Sequence, residues 1–191
     1  MKTNHSLVLL ISLSTFFACT STKMKTQKME GYDEKIESLV VSTLFSEYFE
    51  KAAPSFLEGI KANLIEDSIA IDYYPYPEIK NDSLDPEIQM EIILNRVLMK
   101  GLEYESSHAL LIVDTKLETV SRSSSTTHTH SLIGLLIDIK KERFIWQADI
   151  TLKSGDYGNS NQSGTSLAKK TISQLRKDQF LKPEGYTITR N

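Results

Sequence analysis

Three consecutive segments decide the fold of this chain: ALLIVDTKLETV at residues 109–120, SLIGLLIDIK at 131–140 and RFIWQADITLK at 143–153. Each is rich in β-branched, aromatic and other large apolar residues, a composition that favours β-strands. Only the short turn KKER, residues 140–143, joins the last two segments, so we predict that they form an antiparallel hairpin. Together the three segments predict the main part of a sheet.

The third segment alternates in polarity. Its more apolar positions are Phe144, Trp146, Ala148, Ile150 and Leu152. The residues between them are mostly polar, so one face of this strand is predicted to pack and the other to face solvent. We therefore place Trp146, the single tryptophan, in the core on a face that it shares with Phe144 and Ile150.

Further elements flank these strands on both sides. Residues 36–44 (IESLVVSTL) and 68–73 (SIAIDY) predict two more strands, and Pro54 suits the first turn of a helix between them. Asp85 followed by Pro86 predicts the start of a longer helix. A mobile loop at 155–164 is expected before a closing helix, whose apolar face includes residues 168–175. The prediction is an α+β domain over residues 35–181, ordered βαβαβββα, with a mixed sheet, helices packed on one face and a tail at 182–191.

The chain begins with a short apolar leader that ends at its only cysteine. Residues 1–18 read MKTNHSLVLLISLSTFFA, with Lys2 at the start and no charge in residues 7–17. A helix over residues 7–17 is about 16 Å long, too short for a hydrocarbon core of about 30 Å. We therefore predict a signal peptide that is removed from the mature protein.

The end of the leader, Phe16-Phe17-Ala18-Cys19, resembles the lipobox of bacterial lipoproteins. Ala18 and Cys19 match that pattern, whereas Phe16 stands where leucine is usual and Phe17 is bulkier than the common residue. The resemblance implies cleavage before Cys19, diacylation of its sulfur and acylation of the new amino group. Two or three acyl chains anchor a protein stably, whereas one holds it only marginally. The alternative is an ordinary secretory leader with a chance cysteine near its end.

Charge and composition narrow the partners of the mature chain. Removing the leader takes away only Lys2 from 22 basic residues and leaves all 25 acidic ones, so the net charge changes from −3 to −4. A mildly acidic surface argues against nucleic-acid binding. No second cysteine exists, so the fold must depend on apolar packing without disulfides.

The segment after Cys19 is predicted to be a flexible tether over residues 19–34. Its first part, TSTKMKTQKMEG, shows no apolar periodicity and contains three lysines. It is interpreted as a solvated spacer that lifts the domain off the membrane, with contact between its lysines and anionic headgroups as the alternative. No acidic run follows Cys19, which favours a periplasmic face, with the outer membrane as the expected membrane.

The folded part resembles a group of bacterial envelope lipoproteins whose domain is similar to the TolB N-terminal, or anticodon-binding-like, α+β fold. The resemblance covers roughly residues 35–181 and depends on the element order and on three phrases: ALLIVDTKLETV, FIWQADITL and LAKKTISQLRKDQFL. It implies a protein that binds other envelope components in assembly, secretion or cell-wall regulation. No residue set assigns a particular partner, and the fold alone does not choose among these roles.

His128 and His130 raise the question of a metal site. In a strand their side chains would point to the same face, and His108, Asp114 or Asp138 could add a third ligand only if the sheet brings them near. The surrounding SRSSSTTHTH, residues 121–130, is more typical of a long hairpin loop. We therefore predict no metal and no other cofactor.

Hydrolytic chemistry has two candidate segments. Serines 121, 123, 124 and 125 lack a G-x-S-x-G elbow and a base at a recognisable spacing. Carboxylates at Asp67, Asp72, Glu78 and Asp82 surround Tyr73, Tyr74 and Tyr76, a grouping that could form a glycosidase pair but is more typical of a solvated loop with tyrosines against the core. Gly155, Gly158 and Gly164 lack the spacing and the lysine of a phosphate-binding loop.

The sequence thus predicts a lipid-anchored envelope protein that works by protein interaction or assembly and not by catalysis. Its expected partners are the membrane, through Cys19, and an envelope protein, and an oligomer is left open. The alternative is a periplasmic hydrolase or metal-binding protein that uses residues 121–130 or 66–82.

Overall fold

The computed structural model describes residues 20–75, 85–122, 125–155 and 160–183. Its strands are β1 (Ser21–Lys28), β2 (Ser38–Leu44), β3 (Ala70–Pro75), β4 (His108–Arg122), β5 (Ser125–Asp138) and β6 (Arg143–Gly155). Its helices are α1 (Glu47–Glu50), α2 (Ala53–Leu64), α3 (Pro86–Glu103) and α4 (Ser160–Lys177), with a 3-10 turn at Ile65–Asp67 after α2. From β2 onward the strands and the longer helices follow the predicted order, and the predicted α+β class is confirmed.

The six strands form one mixed sheet in the order β1-β6-β5-β4-β2-β3. The four strands at the β1 side are antiparallel, including the predicted hairpin of β5 and β6, and β2 lies parallel to both β4 and β3. The three segments from which the fold was inferred, now β4, β5 and β6, lie next to one another at the centre of the sheet.

The prediction that all helices pack on one face was wrong. Strand β3 lies on one side of β2 and β4 on the other, so the two parallel crossovers run in opposite directions across the sheet. Right-handed crossovers in opposite directions must pass over opposite faces. Accordingly α2 and α4 cover one face with Phe56, Ile60 and Leu175, and α3 covers the other with Ile93 and Val97.

The residues predicted as a flexible tether include a strand. Residues 21–28 form β1, which pairs antiparallel with β6 from Ser21 opposite Lys153 to Lys28 opposite Trp146. Met24 faces the core while Lys23 and Lys25 point to solvent, so the period of two is present with only one strongly apolar residue. Charged side chains on an edge strand are a common protection against unwanted pairing.

Trp146 is buried as predicted, but Phe144 does not share its face. The ladder between β5 and β6 pairs Leu136 with Trp146 and Ile137 with Phe144, which leaves Ile145 as an inserted residue. A bulge of this kind reverses the facing of the residues beyond it. As a result Ile145 is buried and the Phe144 side chain is 50% exposed.

Residues 121–130 are mostly strand, not the long hairpin loop that the sequence indicated. Strand β4 continues to Arg122 and β5 starts at Ser125, and the pairing between them runs without a gap from Lys116 and Ser131 to that end. We call the part of this hairpin beyond the end of β2, residues 115–122 and 125–131, the β4–β5 arm. Its β4 side chains from Lys116 to Arg122 are exposed.

Candidate functional site

The structure places the five side chains considered for a metal site in two groups that lie far apart along the β4–β5 ladder. His108 pairs with Asp138 at one end of the β4–β5 ladder, whereas His130 pairs with Leu117, nine residues further along β4. At about 3.3 Å per residue this distance is roughly 30 Å. Among the described residues, no group of three or more His, Cys, Asp or Glu side chains converges in a way that could hold a metal ion.

His130 and Asp114 do meet, and they form a buried pair. The His130 Nδ1 atom lies 3.1 Å from Asp114 Oδ2, and both side chains are 1% exposed. The same carboxylate oxygen accepts a hydrogen bond of 2.6 Å from the Ser46 hydroxyl. The Phe49 ring covers the imidazole, with 4.7 Å between the ring centroids. This pair ties the turn after β2 to the base of the arm, and it is closed to a substrate.

His128 has a separate environment on the arm. Its Nδ1 atom lies 3.1 Å from the Thr119 hydroxyl on the neighbouring strand. The His128 ring is half-buried. Ser121 is one of the four serines considered, and its hydroxyl lies 3.5 Å from the Thr126 hydroxyl. Ser123 and Ser124 lie outside the described residues. His128 and Ser121 therefore make ordinary cross-strand contacts.

A second buried polar cluster lies at the opposite end of the sheet and was not predicted. The Tyr32 hydroxyl donates to Asp138 Oδ2 at 3.0 Å and lies 2.9 Å from His108 Nε2. Asp138 also accepts from the backbone N–H of Lys141 at 3.0 Å, and Lys141 forms an ion pair with Glu34. The sequence separations explain why no local pattern predicted this cluster.

Burial and hydrogen bonding shift the acid–base properties of this cluster. Burial, with help from the Asp138 carboxylate, raises the pKa of Tyr32 well above its usual value. Burial also lowers the pKa of His108 and so keeps the imidazole neutral. Burial acts to raise the pKa of Asp138, but hydrogen bonds from Lys141 and Tyr32 outweigh it and hold that pKa below its ordinary value. All three side chains are buried, so this cluster is closed to a substrate and has a structural role.

The acidic and aromatic residues around 66–82 do not form a carboxylate pair where the structure describes them. Asp67 makes an ion pair of 2.8 Å with Arg176 of α4, and Arg176 also donates to the backbone oxygen of Asn63. The Tyr73 hydroxyl lies 2.9 Å from that of Thr43, and the ring packs against the core. Tyr76, Glu78 and Asp82 lie outside the described residues.

A depression of about 340 Å³ lies beside Asp67. Its charged lining residues are Lys35, Glu37, Asp67 and Lys182, and its apolar lining residues are Ile36, Ile69, Phe180 and Leu181. Asp67 is already neutralised by Arg176, and the lining contains no histidine or cysteine. Ser68 also lines it, but no histidine in the lining can act as a base for that hydroxyl, and of the two lining carboxylates Asp67 is held by Arg176.

Of the three glycines considered for phosphate binding, Gly164 has a packing role, whereas Gly155 ends β6 without a close neighbour at its Cβ position. Gly164 lies inside α4, which begins at Ser160 in what was predicted to be a loop, and Gly158 is outside the described residues. A Cβ on Gly164 would come within 2.3 Å of the Ala52 backbone oxygen. The absence of that Cβ allows α4 to lie close against the start of α2.

The helix α3 presents an apolar stripe on the side away from the sheet. Its inward residues include Ile93, Val97 and Gly101, all packed against β4, β5 or β2. At 100° per residue, the opposite side of the helix carries Ile88, Ile92, Asn95, Met99 and Leu102. Met99 is 67% exposed, Leu102 52% and Ile88 48%. We call these five residues the α3 outer stripe.

The two clusters, the depression and the stripe differ in what they can do. Each cluster is closed to solvent, whereas the α3 outer stripe is an accessible apolar surface. Its three most exposed residues, Ile88, Met99 and Leu102, lie together on one face of the helix, and grouped exposed apolar residues point to an interaction site more strongly than scattered ones do. The stripe is therefore the best candidate functional site among the described residues. Within the same residues, no helix is both long and apolar enough to cross a bilayer.

Comparisons with known proteins give the fold but not the family. No protein-family model matches the chain, and no curated protein matches it. A PelC dodecamer from Paraburkholderia phytofirmans has a similar structure, with a TM-score of 0.52 and 12% identity, over 81% of this chain and 97% of that one. Lipoprotein GNA1162 from Neisseria meningitidis aligns over 73% of this chain and 98% of its own, with 18% identity and a TM-score of 0.44. The similarity to PelC confirms an α+β fold already present in a solved protein, and the likeness to a TolB N-terminal domain stays a prediction.

Proposed function

We propose that this chain is a bacterial envelope lipoprotein, anchored through Cys19, that works as a non-catalytic assembly module on the periplasmic face of the membrane, with the outer membrane favoured. The observation that carries the proposal is the leader of residues 1–18 ending at the only cysteine. A lone thiol in an oxidising compartment is a liability unless it is occupied, and acylation occupies it.

The anchor can be tested directly. Cells that express the full chain are given a labelled fatty acid, and the label on the protein and its membrane fraction are measured. We expect the wild-type chain and Thr20→Ala to be labelled and membrane-bound, and Cys19→Ala to lose the label. A Cys19→Ala protein that remains labelled and membrane-bound would contradict the lipoprotein assignment.

A non-catalytic role is supported by the closed state of both polar clusters. The His130–Asp114 pair and the Tyr32–His108–Asp138 cluster contain the residue types of acid–base catalysis. A general base must come within hydrogen-bond reach of a substrate proton. Phe49 covers the first pair, and Phe180 packs on Tyr32 with 5.9 Å between ring centroids in the second.

The occupant that we propose for the α3 outer stripe is a second copy of this chain. Ile88 and Leu102 lie seven residues on either side of Asn95, and Ile92 and Met99 lie three and four residues away. Two copies of the helix related by a two-fold axis along the membrane normal would therefore place each of the four apolar residues beside its counterpart, with Asn95 beside Asn95 in the middle, and would keep Cys19 of both copies on the same membrane. PelC from Paraburkholderia phytofirmans, which has a similar fold, is a dodecamer, and this supports self-association of the present chain.

Size measurements of the detergent-extracted protein test the assembly. Met99→Glu and Leu102→Glu introduce carboxylates into the stripe, and Ile65→Glu is the matched control because Ile65 is an exposed apolar residue on a different element. We expect the wild type and the control to form an oligomer, and the two stripe variants to weaken it at least tenfold. Equal sizes for all four proteins would show that the stripe is not the interface.

A further inference from the structure

The start of β1 fixes where an anchor at Cys19 would meet the domain. Ser21 pairs with Lys153 of β6, Lys153 is opposite Thr129 of β5, and Thr129 is opposite Glu118 of β4. These four residues form one row across the sheet. The row lies near the outer end of the β4–β5 arm, far from the turn between β5 and β6.

The chain between the anchor and this row is too short to act as a spacer. Thr20 alone separates Cys19 from Ser21. Consecutive Cα atoms are about 3.8 Å apart, so the Cα of Cys19 lies within about 7.6 Å of that of Ser21. Because β1 is hydrogen-bonded to β6 from Ser21 onward, the sheet itself begins within that distance of the lipid.

The arm extends further in the same direction. Beyond the row of Ser21, β4 continues through four more residues, Thr119 to Arg122, each paired with β5. At about 3.3 Å per residue this part is roughly 13 Å long, which exceeds the reach from Ser21 to Cys19. The headgroup layer on one side of a bilayer is about 5–8 Å thick, so an arm of this length reaches it.

The exposed groups at this end suit a wet, polar lipid interface. Arg122 and Lys153 are exposed cations, the exposed Glu118 carboxylate of the same row is paired with Lys116 at 2.6 Å, and Thr127 contributes an exposed side chain with a hydroxyl. Val120, on the same end of β4, is 54% exposed and adds one apolar side chain. A cation near an anionic membrane surface contributes about 1 kcal/mol, so these groups assist the anchor without replacing it.

We propose that the outer end of the β4–β5 arm rests on the lipid headgroups and holds the sheet upright, with the β5–β6 turn pointing away from the membrane. This inference rests on the proposed acylation of Cys19. β5 spans 14 residues, so the two ends of the sheet are separated by about 45 Å. The Tyr32–His108–Asp138 cluster lies at the end far from the membrane, because Asp138 is the last residue of β5.

Site-specific fluorescence on the lipidated protein tests this orientation. Thr127→Cys and Lys140→Cys replace exposed residues at the two ends, and acylation of Cys19 leaves the new thiol as the only one free for labelling. Each labelled protein is reconstituted into phosphatidylethanolamine and phosphatidylglycerol vesicles that contain a headgroup-attached quencher lipid. We expect quenching of the label at position 127 to be at least threefold stronger than at position 140.

Two further readouts separate the failure of this inference from that of the anchor. The mass of each labelled protein reports acylation of Cys19, and Trp146 fluorescence reports folding. Acylated, folded protein with equal quenching at both ends, or stronger quenching at position 140, overturns the orientation and leaves the anchor intact. Protein that lacks acyl chains overturns the anchor and the orientation together.

Discussion

Replacing Gly164 with alanine tests the contact between α2 and α4 that covers one face of the sheet. The added Cβ would lie 2.1 Å from Ser55 Oγ, 2.3 Å from the Ala52 backbone oxygen and 2.7 Å from the Phe56 backbone nitrogen. Two of these atoms belong to the backbone and cannot rotate away. The helices must therefore separate, and the core residues between them lose contact.

The size of the effect follows from two opposing contributions. Inserting atoms into a well-packed core costs about 1–3 kcal/mol, and more where backbone must move. Alanine in place of glycine in a helix returns about 1 kcal/mol. We expect the free energy of unfolding to fall by about 1–2 kcal/mol. For a domain of this size that change lowers the Tm by about 2–8 °C.

A second helical glycine provides the matched control. A Cβ on Gly101 would lie 2.4 Å from Ile139 Cδ1, the end of a flexible side chain that can change rotamer. The gain in helix propensity then offsets the small rearrangement, so Gly101→Ala should remain within about 1 kcal/mol of the parent protein.

Urea unfolding of the leaderless chain carrying Cys19→Ala measures both variants. Trp146 is the only tryptophan, and its Nε1–H donates to Asp178 just after α4 at 2.8 Å, so its fluorescence reports the loss of this packing. If Gly164→Ala is as stable as Gly101→Ala, the close helix contact described above is wrong.

Three further predictions concern the buried polar groups. Tyr32→Phe removes the hydroxyl that lies 2.9 Å from His108 and donates to Asp138. We expect urea titration to show a free energy of unfolding lower by about 1–3 kcal/mol. An unchanged midpoint would contradict a structural role for the Tyr32–His108–Asp138 cluster. Because burial lowers the pKa of His108, the unfolded chain takes up a proton below about pH 6.5 that the folded chain does not, so stability must fall as the pH decreases through this range. The free energy of unfolding measured from pH 8 to pH 5 checks this, and a slope that persists unchanged in His108→Gln would refute it. Ser46→Ala removes the 2.6 Å hydrogen bond to the buried Asp114 carboxylate and should cost about 1–3 kcal/mol in the same titration, whereas equal stability would show that this contact is not needed.

The element order was predictable from the sequence, but the faces of the elements were only partly so. Periods of two and of about 3.6 residues are local properties, and they placed every strand and long helix from β2 to α4. The face taken by α3 depends on which side of β2 the strand β4 pairs, and strand pairing is not a local property. The exposure of Phe144 depends in the same way on a bulge at Ile145 that alternation alone does not reveal.

The sequence of β1, which was not predicted to be a strand, does contain a weak strand pattern. Thr22, Met24 and Thr26 alternate with Lys23, Lys25 and Gln27, and the first set is half-buried. A single methionine among threonines is too little apolar surface to distinguish an edge strand from a solvated segment. Its pairing with β6, far along the chain, supplies the hydrogen bonds that make it a strand.

The candidate sites likewise depend partly on local sequence patterns and partly on tertiary packing that the sequence does not reveal. Asp114 was named as a third metal ligand beside His128 and His130 only on condition that the sheet brought them together, and the fold brings it to His130 as a buried pair without forming a metal-holding group among the described residues. Tyr32, His108 and Asp138 are separated by 30 or more residues, so no spacing rule could have grouped them. The α3 outer stripe was visible as apolar residues in a helix, but which side of the helix faces the sheet follows from the packing of Ile93 and Val97.

Native mass spectrometry of the detergent-extracted protein measures the lipid anchor and the assembly in one experiment. One spectrum gives the mass of the subunit and the number of copies. We expect subunits that begin at Cys19, carry two or three acyl chains and occur as an oligomer of more than one copy. A subunit without acyl chains, or an acylated subunit found only as a monomer, would contradict it.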